Sequence, residues 1–167
     1  MHDVYPLLER TSFPKIFRGK LYTIQINLGY KCNQACVHCH VNAGPKRKEM
    51  MDIKTINEIV EFIKRSNIKN IDLTGGAPEL HPQFRDLVSA ARAQDVEVID
   101  RCNLTILTEP GQESLAEFLA NSGVRIGASL PWYAQERVDR QRGRGVFERS
   151  LAALQVLNRL GYGMPGS

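Results

Sequence analysis

Apolar residues along the chain fall into two alternating rhythms. From Tyr22 to Leu28 the residues Tyr22, Ile24, Ile26 and Leu28 alternate with Thr23, Gln25 and Asn27, the period-two signature of a strand with one polar face. From Ile53 the rhythm changes: Ile53, Ile56, Ile59, Val60 and Ile63 take helical spacing, with Asp52 placed to cap the first turn and a stop expected near Ser66 and Asn67. Ile71 to Leu73 predicts a second strand, running into the turn-forming Gly75-Gly76-Ala77-Pro78, and a helix follows through Phe84, Leu87, Val88 and Ala91. Val96 to Cys102, Gln112 to Asn121 and Val124 to Ser129 predict a third strand, a third helix and a fourth strand. An arginine-rich loop then leads to a helix through Phe147, Leu151, Leu154 and Leu157 that stops at Gly161.

Strands alternating with helices in this way predict an α/β fold of right-handed βα units on a parallel sheet, with ligand sites in the loops at the carboxyl ends of the strands. Residues 1–20, with Pro6 and Pro14, read as a tail, and residues 21–167 as one domain. Four parallel strands do not close a barrel, and Met164-Pro165-Gly166-Ser167 reads as the start of another loop, so the expected domain is incomplete at its carboxyl end.

The 167 residues, 43% hydrophobic and 24% charged, are enough for a core that buries roughly 70% of the unfolded surface without crosslinks. The longest unbroken apolar run is Leu151 to Leu154, too short to cross a bilayer, and Met1-His2-Asp3-Val4 lacks a secretory pattern, so a cytoplasmic protein without membrane partners is expected. A net charge of +4 does not demand nucleic acid as a partner and does not oppose an anionic ligand.

Chemistry concentrates after the first strand. Cys32, Cys36 and Cys39 form a CxxxCxxC pattern, too tightly spaced for a disulfide framework. Three such thiolates can hold three irons of a four-iron, four-sulfur cluster and leave the fourth iron open, or they can join His38 or His40 in a zinc site. Gly161-Tyr162-Gly163-Met164-Pro165-Gly166 matches GxGxxG literally but follows a helix instead of a strand, and is set aside.

CxxxCxxC after the first strand, with a glycine-rich loop after the second, resembles the radical S-adenosylmethionine (SAM) enzymes, whose fold is a partial or full βα barrel. The resemblance implies that Cys32, Cys36 and Cys39 hold a [4Fe-4S] cluster. It also implies that SAM chelates the open iron and is cleaved by a cluster electron to methionine and a 5′-deoxyadenosyl radical. By the same resemblance His38, where the family often has an aromatic residue, packs near the adenine; the alternative is an exposed loop histidine. Thr74-Gly75-Gly76-Ala77-Pro78-Glu79 resembles the family's Gly-Gly-Glu-Pro loop. It assigns Gly75, Gly76 and Pro78 to SAM binding through the backbone, although Ala77 replaces the acidic residue and Glu79 follows two positions later. Asn103 and Ser129, ending the third and fourth strands, would face the ribose and carboxylate. Arg142, in a segment like the family's Arg-Gly…Gly-x-Phe approach to the next helix, would pair with a carboxylate or belong to a solvated basic loop. On this reading Gly76→Val blocks SAM cleavage and leaves the cluster intact.

Longer matches over Arg101 to Thr105, Glu109 to Glu113 and Asp139 to Phe147 resemble the arsenosugar-biosynthesis radical SAM family. They imply transfer of the deoxyadenosyl group to a dimethylated arsenic species, a small-molecule substrate, and a low-potential donor such as flavodoxin or ferredoxin. Trp132 stands where that family is expected to have a cysteine. The competing expectations are a zinc-stabilised binding module and a cluster-binding fragment without activity. Cys102, at a strand end, is either a buried hydrophobe or a ligand near the site.

Overall fold

A computed structural model describes residues 5–164. The chain runs α1 (Tyr5–Leu8), β1 (Thr23–Asn27), α2 (Ile53–Arg65), β2 (Asn70–Thr74), a 3-10 turn (Pro78–Leu80), α3 (Phe84–Arg92), β3 (Glu97–Asp100), a second 3-10 turn (Thr105–Thr108), α4 (Leu115–Asn121), β4 (Arg125–Ile126), α5 (Gln135–Arg142) and α6 (Val146–Arg159). The strands form one sheet in the order β1-β2-β3-β4, and every neighbouring pair is parallel. This is the expected partial βα barrel.

Register explains how the two faces are assigned. Ile26 aligns with Leu73, which aligns with Asp100, while Gln25 aligns with Asp72 and Ile99. Ile26, Ile71, Leu73 and Val98 are buried together with Phe84, Leu87 and Val88 of α3 and Leu115 and Leu119 of α4, so the apolar face of the sheet carries the core. The polar positions of β1 are left on the opposite face. Asp52 caps α2 as expected, its carboxylate accepting from the Thr55 N–H at 2.7 Å.

The structure corrects several boundaries. β4 is only two residues long, yet its hydrogen bonding continues irregularly, Gly127 N donating to Asp100 O and Ser129 N to Cys102 O. Helix α4 starts at Leu115, three residues later than expected, because Gln112 is irregular and residues 113–114 form a turn. The arginine-rich stretch is not a plain loop, since α5 occupies Gln135–Arg142. Only Val138 and Arg142 of that helix are buried, so it lacks the apolar stripe from which a helix is read. The amino-terminal tail holds the single helical turn α1 and is exposed through residue 23. The expected loop start at 164–167 lies, beyond Met164, outside the described residues. No helix among those described is long and apolar enough to cross a membrane.

Candidate cofactor site

The loop after β1 is held from both sides by main-chain bonds. Gly44 N donates to Tyr30 O, Cys32 N to Gly44 O, and Ala77 N to Lys31 O, so the first cysteine is clamped between the returning loop and the Gly75-Gly76 turn. Gly75 sits at φ +135, and a Cβ there would meet the Gly29 carbonyl; a Cβ on Gly76 would meet the Lys31 carbonyl and lie 3.0 Å from Cys32 Cβ. Both positions therefore require glycine: the two loops touch backbone to backbone.

Cys32, Cys36, Cys39, His38 and His40 line one cavity of about 450 Å³ at the carboxyl end of the sheet, with Gly75, Gly76, Asn103, Ser129 and Arg142 on its walls. That volume lies within the range of roughly 300–1,000 Å³ usual for small-ligand sites. The sequence-derived candidates are thus assembled in one place, except Pro78, which is buried at the start of the 3-10 turn and does not reach the wall. His38 and His40 are exposed at the rim.

Each sulfur has its own hydrogen-bond partner. Cys32 Sγ accepts from Gln34 N at 3.4 Å and from Asn103 Nδ2 at 3.5 Å, Cys36 Sγ donates to Gln34 Oε1 at 3.4 Å, and Cys39 Sγ accepts from Ala43 N at 3.3 Å. Burial pushes the Cys32 thiol up, partly offset by the Gln34 and Asn103 contacts. The three sulfurs ring the cavity; among the described residues they do not form a group whose ligand atoms all lie within 4.8 Å of one another.

Sequence reading missed what fixes this loop. Asn33 Nδ2 donates to Thr105 Oγ1 at 3.0 Å and to Glu109 Oε1 at 2.9 Å, Gln34 Nε2 donates to Thr105 Oγ1 at 2.6 Å, and Asn103 Nδ2 donates to Asn33 Oδ1 at 2.7 Å. Arg149 of α6 ties Glu109 from the far side at 3.1 Å. Asn103 thus reaches the cavity with its amide bound to the cysteine loop. The only signal for this network was a run of polar residues just past β3.

The floor of the cavity is the polar face of the sheet, with Gln25, Asn27, Thr74 and Arg101. Arg101 grips Asp72 through Nε (2.8 Å) and Nη2 (2.6 Å), and Gln25 donates to the same carboxylate at 3.1 Å. These bonds, Arg101 first, hold the Asp72 carboxyl below the usual carboxylate range. Arg142 donates from Nη1 to the Ser129 carbonyl, while its Nε is buried without a partner. Three thiols, a glycine cradle open to close backbone approach and a guanidinium on the cavity wall suit an iron–sulfur cluster and a carboxylate-bearing cofactor. Cys102, by contrast, is fully buried and does not line the cavity.

The model of the Radical SAM superfamily matches residues 26–164. The mycofactocin maturase MftC of Mycolicibacterium smegmatis is 30% identical over 135 residues, which are 81% of this chain and 34% of that protein. A probable GTP 3′,8-cyclase of Pyrococcus abyssi is 26% identical over 147 residues, 87% of this chain and 46% of that one. The chain therefore spans between a third and a half of the length of these relatives. Among solved structures, anSMEcpe with bound AdoMet and the Kp18Cys peptide superposes with a TM-score of 0.69 at 19% identity, over 84% of this chain and 41% of that one. Streptococcus suis SuiB bound to S-adenosylmethionine gives 0.68 at 18% identity, over 84% and 32%. With its parallel βα architecture and the family model covering most of its length, the chain belongs to the radical SAM superfamily, whose members use a [4Fe-4S] cluster and SAM.

Proposed function

We propose that this chain carries the cofactor half of a radical SAM enzyme, with Cys32, Cys36 and Cys39 as cluster ligands and Gly75, Gly76, Asn103, Ser129 and Arg142 arranged for SAM. The observation that carries this reading is the single cavity shared by the three thiols and the Gly75-Gly76 turn. The membership in the radical SAM superfamily, with three thiols in one CxxxCxxC loop, favours a multi-iron cluster over one zinc ion. When bound, the cluster supplies the electron that splits the SAM sulfonium into methionine and a deoxyadenosyl radical. A low-potential flavodoxin or ferredoxin is the donor class that this electron requires.

The residues of the chain have separate tasks. Gly75 and Gly76 bare their backbone for the amino end of SAM, and Arg142, on the cavity wall, brings its guanidinium to a carboxylate, a charge-assisted bond in a partly dry site. His38 stands at the rim as a planar wall for the adenine. Asp72, itself braced by Gln25, holds Arg101 on the floor, so the acceptor meets a fixed cation. The segments Arg101–Thr105, Glu109–Glu113 and Asp139–Phe147 support a finer reading, in which the small-molecule acceptor is a dimethylated trivalent arsenic species that receives the deoxyadenosyl group. They are the segments that build the floor, the anchor of the cysteine loop and the approach to α6.

The test is anaerobic reconstitution followed by product analysis. The expected result is about four irons per chain, lost on Cys32→Ala, Cys36→Ala or Cys39→Ala and retained on Cys102→Ala. Stoichiometric zinc without iron uptake would overturn the cluster. With reductant and SAM, a protein carrying this domain at full length releases methionine, and with dimethylarsenite it forms an arsenic-bearing nucleoside. Free 5′-deoxyadenosine alone would keep the radical chemistry and reject arsenic.

A further inference from the structure

Behind the sheet, away from the cavity, lies a second set of ligating side chains that the proposed reaction does not use. Arg101, just past β3, lines the cavity, whereas its neighbour Asp100 is fully buried, in register with buried Leu73. Glu79 comes to Asp100 from the 3-10 turn Pro78–Leu80, and Cys102 from the residues just past β3. One ligand atom from each of Glu79, Asp100 and Cys102 lies within 4.8 Å of the other two, and these are the residues of the described chain that converge so closely.

What sets this group apart from an ordinary acidic cluster is that its carboxylates are buried with no cationic side chain or outside donor beside them. Glu79 is 5% exposed and Asp100 and Cys102 are 0% exposed; the Cys102 sulfur accepts from Leu104 N at 3.3 Å, whereas the four carboxylate oxygens have no donor outside the group among the described residues, and Glu79 lies within hydrogen-bond reach of Asp100 and Cys102. The described ion pairs all lie elsewhere. Burial, reinforced by the neighbouring acids, pushes the Asp100 carboxyl and the Cys102 thiol well above their ordinary values. Buried acids without donors must be neutralised by shared protons or by a cation. Three donor atoms from three chain positions, all within 4.8 Å of one another and one of them sulfur, match a cation that accepts both thiolate and carboxylate.

We propose that Glu79, Asp100 and Cys102 form a structural site for a divalent cation of the zinc class, distinct from the cavity on the other face of the sheet. Magnesium and calcium are disfavoured by the sulfur and by the small ligand number. On binding, the thiol and any protonated carboxyl release their protons to solvent, and the dication faces three single negative charges. The cation then bolts the turn that follows the Gly75-Gly76 cradle to the end of β3. The site does not depend on the cluster reading, and its test separates the two.

The probe is cobalt(II), with zinc(II) as competitor, on the 167-residue chain bearing Cys32→Ala, Cys36→Ala and Cys39→Ala, so that the front thiols contribute nothing. The expected result is one cobalt per chain with a thiolate-to-cobalt charge-transfer band in the near ultraviolet, bleached by zinc. Adding Cys102→Ser should abolish the band, and Glu79→Gln or Asp100→Asn should weaken zinc binding by about tenfold or more. If the triple variant does not fold, as judged by circular dichroism, the unaltered chain decides: Cys102→Ser alone should then lower bound zinc by one per chain. A folded chain with no cobalt–thiolate band, or a band indifferent to Cys102→Ser, overturns the proposal and assigns the three acids to a network of shared protons.

Discussion

At Gly76 the space for a single methyl group decides whether two loops can meet. Its Cβ would collide with the Lys31 carbonyl and press on Cys32 Cβ, so a side chain there displaces a cysteine as well as crowding the cavity. The expectation that Gly76→Val leaves the cluster untouched is therefore replaced: Gly76→Ala should lower iron content and SAM affinity together, measured as iron per chain and by equilibrium binding. Gly19→Ala, with nothing within 4 Å, should change neither. Arg142 makes the complementary case, because its guanidinium lines the cavity while Nη1 is held by the Ser129 carbonyl. Arg142→Gln should weaken SAM binding by roughly tenfold, the worth of one charge-assisted bond, and leave iron content unchanged. Equal loss of both would show that Arg142 holds the loops and not the ligand.

Helices α5 and α6 meet at a joint made by one carboxylate. Asp139 accepts from Gly145 N at 2.9 Å and from Phe147 N at 3.0 Å, and these N–H groups, Phe147 first, hold its carboxyl below the usual range. A depressed folded value means that the contribution is complete above the unfolded aspartate value of about 3.9 and is lost as pH falls through the folded one. Asp139→Ala should lower the unfolding midpoint at pH 7 and flatten the acid side of the stability profile; an unchanged acid limb would remove the joint from the account. This element also shows why the sequence was only partly legible. β1 and α2 announce themselves through alternation and through the stripe from Ile53 to Ile63, because half of each is buried against the core. Helix α5 is polar almost throughout and is made by contacts that are distant in sequence, as are the bonds from Asn33 and Gln34 to Thr105. Glu79 was legible as a carboxylate near the cradle, yet the direction in which it points, behind the sheet, is decided by the turn.

Among the described residues of the whole molecule the sheet has two free edges. That of β4 is two residues long and poorly suited to recruit another strand, whereas β1 offers five residues, of which Thr23, Gln25 and Asn27 are exposed. Since Tyr22 O and Leu28 N bond to β2, the intervening odd positions turn their main-chain groups outward. Edge-to-edge association therefore belongs to β1. The chain should self-associate with rising concentration in light scattering, and Thr23→Lys should suppress this. A strictly monomeric unaltered chain would contradict it.

The bond from Val37 N to Gln141 O, at 2.9 Å, joins the exposed tip of the cysteine loop to the last turn of α5. Main chain meets main chain, so the identities of residues 37 and 141 are free to drift through descent while the spacing is not. A residue inserted between Cys32 and Cys39 would lift the tip off α5 unless the stretch from Ala134 to Gly143 changed length as well. In the history of this lineage, insertions and deletions in the two segments should have arrived in pairs.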